Sequence, residues 1–197
     1  MTKRILILAV FLALLAATLW TWRESGFLPF GSKPPAGPQG GDFTLQSAKG
    51  PVSLHDFRGK VVLLYFGYTY CPDVCPTSLA LIAQSLKRLS PEEARQVQVV
   101  FVSVDPERDT LQKLQEYGNF FHPGTVGLTG TPDEVAKVAK QYGVMYRKQA
   151  VTSAAGYVID HSSYTYVIGQ DGTLRGKVLH AAAPAEMIQA VRSALKP

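Results

Sequence analysis

Val61-Val62-Leu63-Leu64-Tyr65-Phe66, followed by Gly67-Tyr68-Thr69-Tyr70-Cys71-Pro72-Asp73-Val74-Cys75-Pro76, is the stretch whose reading decides the fold. Its first half is a continuous apolar run. A half-exposed strand would alternate with polar residues, so this run predicts a strand buried on both faces of a sheet. Its second half holds the only two cysteines of the chain. Pro76 lacks a backbone N–H and would clash deep inside a helix, so a helix is expected to begin around Asp73 to Cys75, with Pro76 in its first turn. Both sulfurs then lie near a helix N-terminus, whose partial positive charge favours thiolate over thiol. Thiolate is the form that attacks disulfides and binds metals.

Working outward, Leu79, Leu81, Ile82, Leu86 and Leu89 recur at helical spacing and continue that helix. Val97 to Val104 (VQVVFVSV) reads as a second buried strand. Thr110 can cap a helix running to about Phe121, and Thr131-Pro132-Asp133-Glu134 is a helix start. Tyr164 to Ile168, a turn at Gln170-Asp171-Gly172, and Thr173 to Leu179 predict a β-hairpin. Pro184-Ala185-Glu186 opens a last amphipathic helix through Met187, Ile188, Val191 and Leu195. Upstream, Phe43-Thr44-Leu45 and Pro51-Val52-Ser53-Leu54 flank a Gly-containing turn and suggest a short hairpin. Two parallel strands with helical crossovers, then an antiparallel hairpin and a terminal helix, give an α/β, thioredoxin-like order: a central mixed sheet flanked by helices.

The ends differ in character. Lys3 and Arg4 precede an uncharged apolar stretch, Ile5 to Trp22, whose 18 residues would span roughly 27 Å as a helix. That suffices for a bilayer core, and Trp20 and Trp22 stand where interfacial aromatics belong. The stretch is longer than a usual signal core and no small-x-small site follows it cleanly, so an uncleaved transmembrane helix is expected over 1–24. Lys3 and Arg4 on one side face Arg23 and Lys33 on the other, and the terminal amine tips the N-terminus inward. The expected location is therefore the cell inner membrane, single-pass, with the domain facing the periplasm. Residues 25–41 form a linker whose Gly31 to Gly41 part (GSKPPAGPQGG) cannot bury apolar surface. Residues 42–197 make one domain, with no internal repeat. A net charge of +5 is mild, and the Lys and Arg residues are scattered rather than interleaved with aromatics. Nucleic acid is thus not an expected partner. Nothing demands more than a monomer.

Three readings compete for the cysteine pair. A stabilising disulfide is permitted outside the cytoplasm, but so small a loop gains little chain entropy. A redox dithiol resembles the thioredoxin motif with three rather than two intervening residues. A metal site needs a third ligand, and four histidines are candidates. His55 lies in a turn after the first hairpin and reads as polar surface. His122 ends a helix, where a cation is favoured structurally. His161 immediately precedes the strand Tyr164 to Ile168. If that strand runs antiparallel to the first long one, its start lies at the edge where Cys71 emerges. His180 ends the returning strand and reaches the same edge one position further out. Geometry ranks His161 first and leaves His180 in competition.

Three blocks carry a family resemblance: GYTYCPDVCPTSL at Gly67 to Leu79, VSVDPERDT at Val102 to Thr110, and DHSSYTYVI at Asp160 to Ile168. On these blocks the chain resembles the SCO/SenC family of copper-binding, thioredoxin-fold proteins that assemble the binuclear copper centre of cytochrome c oxidase. The resemblance implies copper as the metal, held by Cys71, Cys75 and His161, with Asp105 as an accessory residue for partner or metal handling. It also implies a copper-receiving subunit of cytochrome c oxidase as partner. Two thiolates and one imidazole suit monovalent copper, which prefers soft ligands and accepts low coordination. Zinc would want a fourth ligand. The imidazole needs a partner for its other nitrogen, and Asp160, though adjacent, points away in an extended segment.

The alternative is a membrane-tethered thiol–disulfide reductase that keeps a partner's copper-ligating cysteines reduced, with Cys71 and Cys75 as its redox dithiol. Thioredoxin-like oxidoreductases usually place a cis-proline before the facing strand, whereas this chain has Ser162-Ser163. A peroxidase is set aside, because the threonine that peroxiredoxins place three residues before the reactive cysteine falls on Pro72.

Overall fold

The computed structural model describes residues 7, 12–18, 20, 39–150 and 156–196. Of the expected anchor, residues 7, 12–18 and 20 are helical, and the rest lies outside the described residues. Among the described residues no helix is long and apolar enough to cross a membrane. The linker expected over 25–41 lies outside the described residues except at its end, where Gly40 and Gly41 pack on the domain. There Gly40 N–H donates to the Gln141 carbonyl, and the Tyr142 hydroxyl donates to the Gly41 carbonyl at 2.8 Å.

A hairpin of β1 (Thr44–Ser47) and β2 (Gly50–Ser53) leads into β3 (Val61–Gly67), every residue of which is buried. After β3 come α1 (Val74–Leu86), the short α2 (Pro91–Arg95), β4 (Val97–Ser103), α3 (Leu111–Phe121), β5 (Val126–Leu128) and α4 (Pro132–Gln141). Then follow β6 (Tyr146–Ala150), β7 (Tyr157–His161), β8 (Tyr164–Ile168), β9 (Leu174–Leu179) and α5 (Pro184–Leu195). The central sheet has the order β5-β4-β3-β8-β9. β3 runs parallel to β4 in register from Val61 opposite Val97 to Gly67 opposite Ser103, and antiparallel to β8. The α/β, thioredoxin-like order is therefore present, with a third parallel strand, β5, added at one edge.

The unbroken apolar run of β3 follows from cover on both faces. Successive side chains of a strand point to opposite sides. Phe66 meets the rings of Tyr142, just after α4, and Tyr166. Tyr65 points the other way, where its hydroxyl donates to the Val74 carbonyl at the start of α1. The helix starts are set by the capping residues that the sequence places there. Thr110 accepts from the Lys113 N–H, and Thr131 and Glu134 form a reciprocal capping box before Pro132.

β6 and β7 are absent from the sequence reading. They form a separate two-stranded ribbon in which Tyr146 pairs with His161. β6 reads Tyr-Arg-Lys-Gln-Ala, with no apolar pattern to betray a strand. Its pairing with β7 holds it extended.

Candidate metal centre

Cys71 and Cys75 lie where β3 gives way to α1. The chain leaves Gly67, and a turn closes with the Cys71 N–H donating to the Tyr68 carbonyl at 3.2 Å. α1 starts at Val74, so Cys75 and Pro76 fall in its first turn as expected, while Cys71 stands in the turn before it. The Cys75 N–H, one of the orphan donors of a helix start, points at Cys71 Sγ at 3.4 Å. Gly67 makes room for the second sulfur, since a Cβ there would stand 2.7 Å from Cys75 Sγ. Both cysteines are free and buried.

His161, the last residue of β7, brings its Nε2 to 3.2 Å from Cys75 Sγ. Its Nδ1 lies 3.2 Å from the Ser162 carbonyl. A carbonyl can only accept, so the tautomer protonated on Nδ1 is the one that binds it and frees the Nε2 lone pair for a metal held by the sulfurs. The rings of Tyr65 and Tyr68 stand edge-on to the imidazole, at 6.2 and 5.9 Å between centroids. The ligand atoms of Cys71, Cys75 and His161 all lie within 4.8 Å of one another, and no other such group of His, Cys, Asp or Glu occurs among the described residues. His161 faces two grooves. One of about 320 Å³ is shared with Cys71, Tyr68 and Ile159, and one of about 560 Å³ with His180 and the exposed Met145.

The two thiols are electrostatically unequal. The thiolate of Cys71 accepts a hydrogen bond from the Cys75 thiol, and this outweighs burial to bring its pKa from the ordinary 9.0 down to about 4. Cys75 is pushed up, first by burial and then by the neighbouring Cys71 thiolate. The metal-free pair thus holds one proton, on the deeper sulfur, with a nucleophilic thiolate nearer the surface.

The other histidines fall away. His180 Nδ1 is 2.9 Å from Ser78 Oγ, on α1 just beyond the cysteines, and His180 is not in the cluster. His55 is exposed. His122 does end α3, but burial, with Lys87 beside it, lowers its pKa and favours the neutral ring, the reverse of the expected helix-end cation. Asp105 is fully buried and outside the cluster. It accepts hydrogen bonds from Arg108 Nε at 2.6 Å and from the Tyr157 hydroxyl at 2.7 Å. Sequence reasoning missed Asp109, which accepts from the Thr69 N–H at 3.0 Å and the Ser103 hydroxyl at 2.6 Å. It thereby fixes the turn that carries Cys71. Asp109 lies inside the second block, and the block's second aspartate was the available signal.

The family model described as SCO1/SenC matches residues 32–196. The chain belongs to the SCO1/SenC family. Among SCO relatives, it is 38% identical over 154 residues to the bovine (Bos taurus) protein described as "Protein SCO2 homolog, mitochondrial". That match covers 77% of this chain and 58% of the bovine protein, so the chain spans little more than half its relative's length. The copper-bound crystal structure of Arabidopsis thaliana ScoI superposes with a TM-score of 0.74 at 35% identity, covering 80% of this chain and 98% of that one. BsSco, described as a member of the Sco family of cytochrome c oxidase assembly proteins that has a disulfide switch, is more distant. It is 27% identical with a TM-score of 0.63, covering 82% and 95% of the two chains.

Proposed function

We propose that this SCO1/SenC protein is a copper metallochaperone. It holds copper on Cys71, Cys75 and His161 and delivers it to the binuclear copper centre of cytochrome c oxidase during assembly. The observation that carries the reading is the convergence of two sulfurs and an imidazole nitrogen within 4.8 Å. The copper-bound Arabidopsis relative supports the cargo, and the oxidase-assembly family of BsSco supports the destination. Two thiolates and a neutral imidazole favour monovalent copper and leave its shell incomplete. A ligand of the copper-receiving subunit can therefore attack before the old ligands leave. Residues 1–24 anchor the chain as a single pass in the cell inner membrane, 25–41 act as a spacer, and the domain works in the periplasm as a monomer.

Anaerobic titration of the full chain against a competing copper(I) chelator tests this. One copper per chain is expected, with affinity reduced roughly tenfold or more in His161→Ala and abolished in Cys71→Ser/Cys75→Ser. Unchanged affinity in His161→Ala would sink the three-donor site.

The unequal thiols favour one second reading, a thiol–disulfide reductase. The Cys71 thiolate would attack a partner disulfide, forming a mixed disulfide and releasing one partner thiolate. Cys75, on losing its proton, would attack Cys71 Sγ and release the second, so the partner gains two electrons and this chain ends as the Cys71–Cys75 disulfide. Oxidase assembly in cells separates the readings. Assembly that survives His161→Ala but not either Cys→Ser change favours reduction, and equal loss in all three favours delivery.

A further inference from the structure

The three donors belong to two differently held parts of the fold. The cysteines stand at the end of the central sheet, whereas His161 ends β7, a strand that among the described residues pairs only with β6. Tyr157, Ile159 and His161 alternate along β7 and so share one face. Each meets the body of the domain. The Tyr157 hydroxyl donates to Asp105, the Ile159 N–H donates to the Tyr68 hydroxyl at 3.1 Å, and His161 reaches Cys75.

Arg108 completes the first of these anchors. Its Nε binds Asp105 Oδ2 at 2.6 Å, its Nη1 donates to the Tyr157 carbonyl at 3.0 Å, and its guanidinium lies 3.5 Å over the Tyr157 ring. One side chain therefore grips a buried carboxylate, a strand backbone and an aromatic face together. The same connection between β4 and α3, residues 104–110, also contains Asp109, which holds Thr69 two residues before Cys71. A single loop thus touches both halves of the donor set.

We propose that Arg108 and Tyr157 are positioning residues for His161: clamped to Asp105, they fix where β7 delivers the imidazole relative to the cysteines. The proposal rests on the three-donor reading above. Tyr157 stands four residues before His161, so its displacement shifts a lever of about 13 Å whose far end is the ligand. Asp105 then serves the metal without touching it.

Two variants of the full chain separate positioning from general stability. Tyr157→Phe removes the bond to Asp105 and keeps the ring under Arg108. Arg108→Lys keeps the charge but loses the planar fork that reaches Asp105 and the Tyr157 carbonyl at once. Each should lower copper(I) affinity about tenfold, with copper X-ray absorption showing a weakened nitrogen contribution beside unchanged sulfur. In a His161→Ala background neither change should lower affinity further. An equal drop in that background, or wild-type affinity in both single variants, would overturn the proposal while leaving the three-donor site standing. Equal affinity of wild type and His161→Ala would overturn it together with the reading it rests on.

Discussion

Replacing Gly67 by alanine tests how tightly the sheet and the metal centre are built into one another. The added Cβ would stand 2.7 Å from Cys75 Sγ, 3.0 Å from Phe101 Cε2 and 3.1 Å from Tyr65 Cε1. Ordinary contacts between such atoms lie at about 3.5–4.0 Å, so the overlap with sulfur is about 1 Å. Relief is blocked, because Cys75, Phe101 and Tyr65 are all fully buried. Overpacking of this kind costs about 1–3 kcal/mol. Gly176, in β9, is the internal control, since a Cβ there meets nothing within 4 Å. Alanine at Gly176 should stabilise by roughly 0.5–1 kcal/mol through the reduced backbone entropy of the unfolded chain. Urea unfolding of the metal-free chain should therefore place Gly67→Ala below wild type and Gly176→Ala at or above it. Copper(I) competition should show weakened binding for Gly67→Ala alone, since its sulfur is displaced from Cys71 and His161. Equal midpoints for the two variants, or undiminished copper affinity in Gly67→Ala, would refute the steric reasoning.

The thiols make a pH prediction. Cys71 has a folded pKa of about 4 against an ordinary 9.0, so its thiolate persists as pH falls. Alkylation of the metal-free chain by iodoacetamide should stay on Cys71, nearly level from about pH 8 to about pH 5, and decline only toward its folded pKa. A reaction that titrates with the ordinary thiol pKa would contradict the Cys75 hydrogen bond. By linkage, the depressed pKa of Cys71 contributes stability that is full above 9.0 and is lost as pH falls toward about 4. Cys75, whose pKa is raised, contributes the opposite way: its share is full below 9.0 and is lost as pH rises beyond it. Asp109→Asn leaves the Thr69 and Ser103 donors without a carboxylate and should cost about 2–3 kcal/mol in urea unfolding; a loss under about 0.5 kcal/mol would show the buried bonds to be dispensable. His180→Ala should leave copper(I) affinity at the wild-type level, because that imidazole is turned to Ser78. A clear loss would return His180 to the donor set.

The elements legible in the sequence are those whose burial is written in side chains. The runs of β3 and β4 needed only their lack of polar residues, and α3 and α4 announced themselves by Thr110 and by Thr131-Pro132. β5 is three residues long, too short for any period. β6 was hidden because its extended form is imposed by pairing with β7, which leaves Arg147 and Lys148 exposed. At the site, spacing placed the cysteines and strand direction ranked His161 above His180. The partner of its Nδ1 is not a side chain. It is the Ser162 carbonyl, and a backbone group carries no sequence signature. Asp160, the side chain considered for that task, instead accepts from Gln149. The grip of Arg108 on Tyr157 joins positions 49 residues apart, which only the folded chain brings together.

That separation of the donors bears on how strongly metal can protect the fold. Cys71 and His161 lie in segments 90 residues apart, whereas the cysteines stay neighbours even in an unfolded chain and can still chelate a soft ion there. A ligand stabilises the native state only by the excess of native over unfolded affinity. Copper should therefore raise the thermal midpoint by less than its dissociation constant suggests, and the increment measures what the imidazole and the preformed geometry add. A nascent chain that meets copper before β7 has docked would carry the ion on its thiols alone, and docking of the ribbon would then close the site around a metal already present.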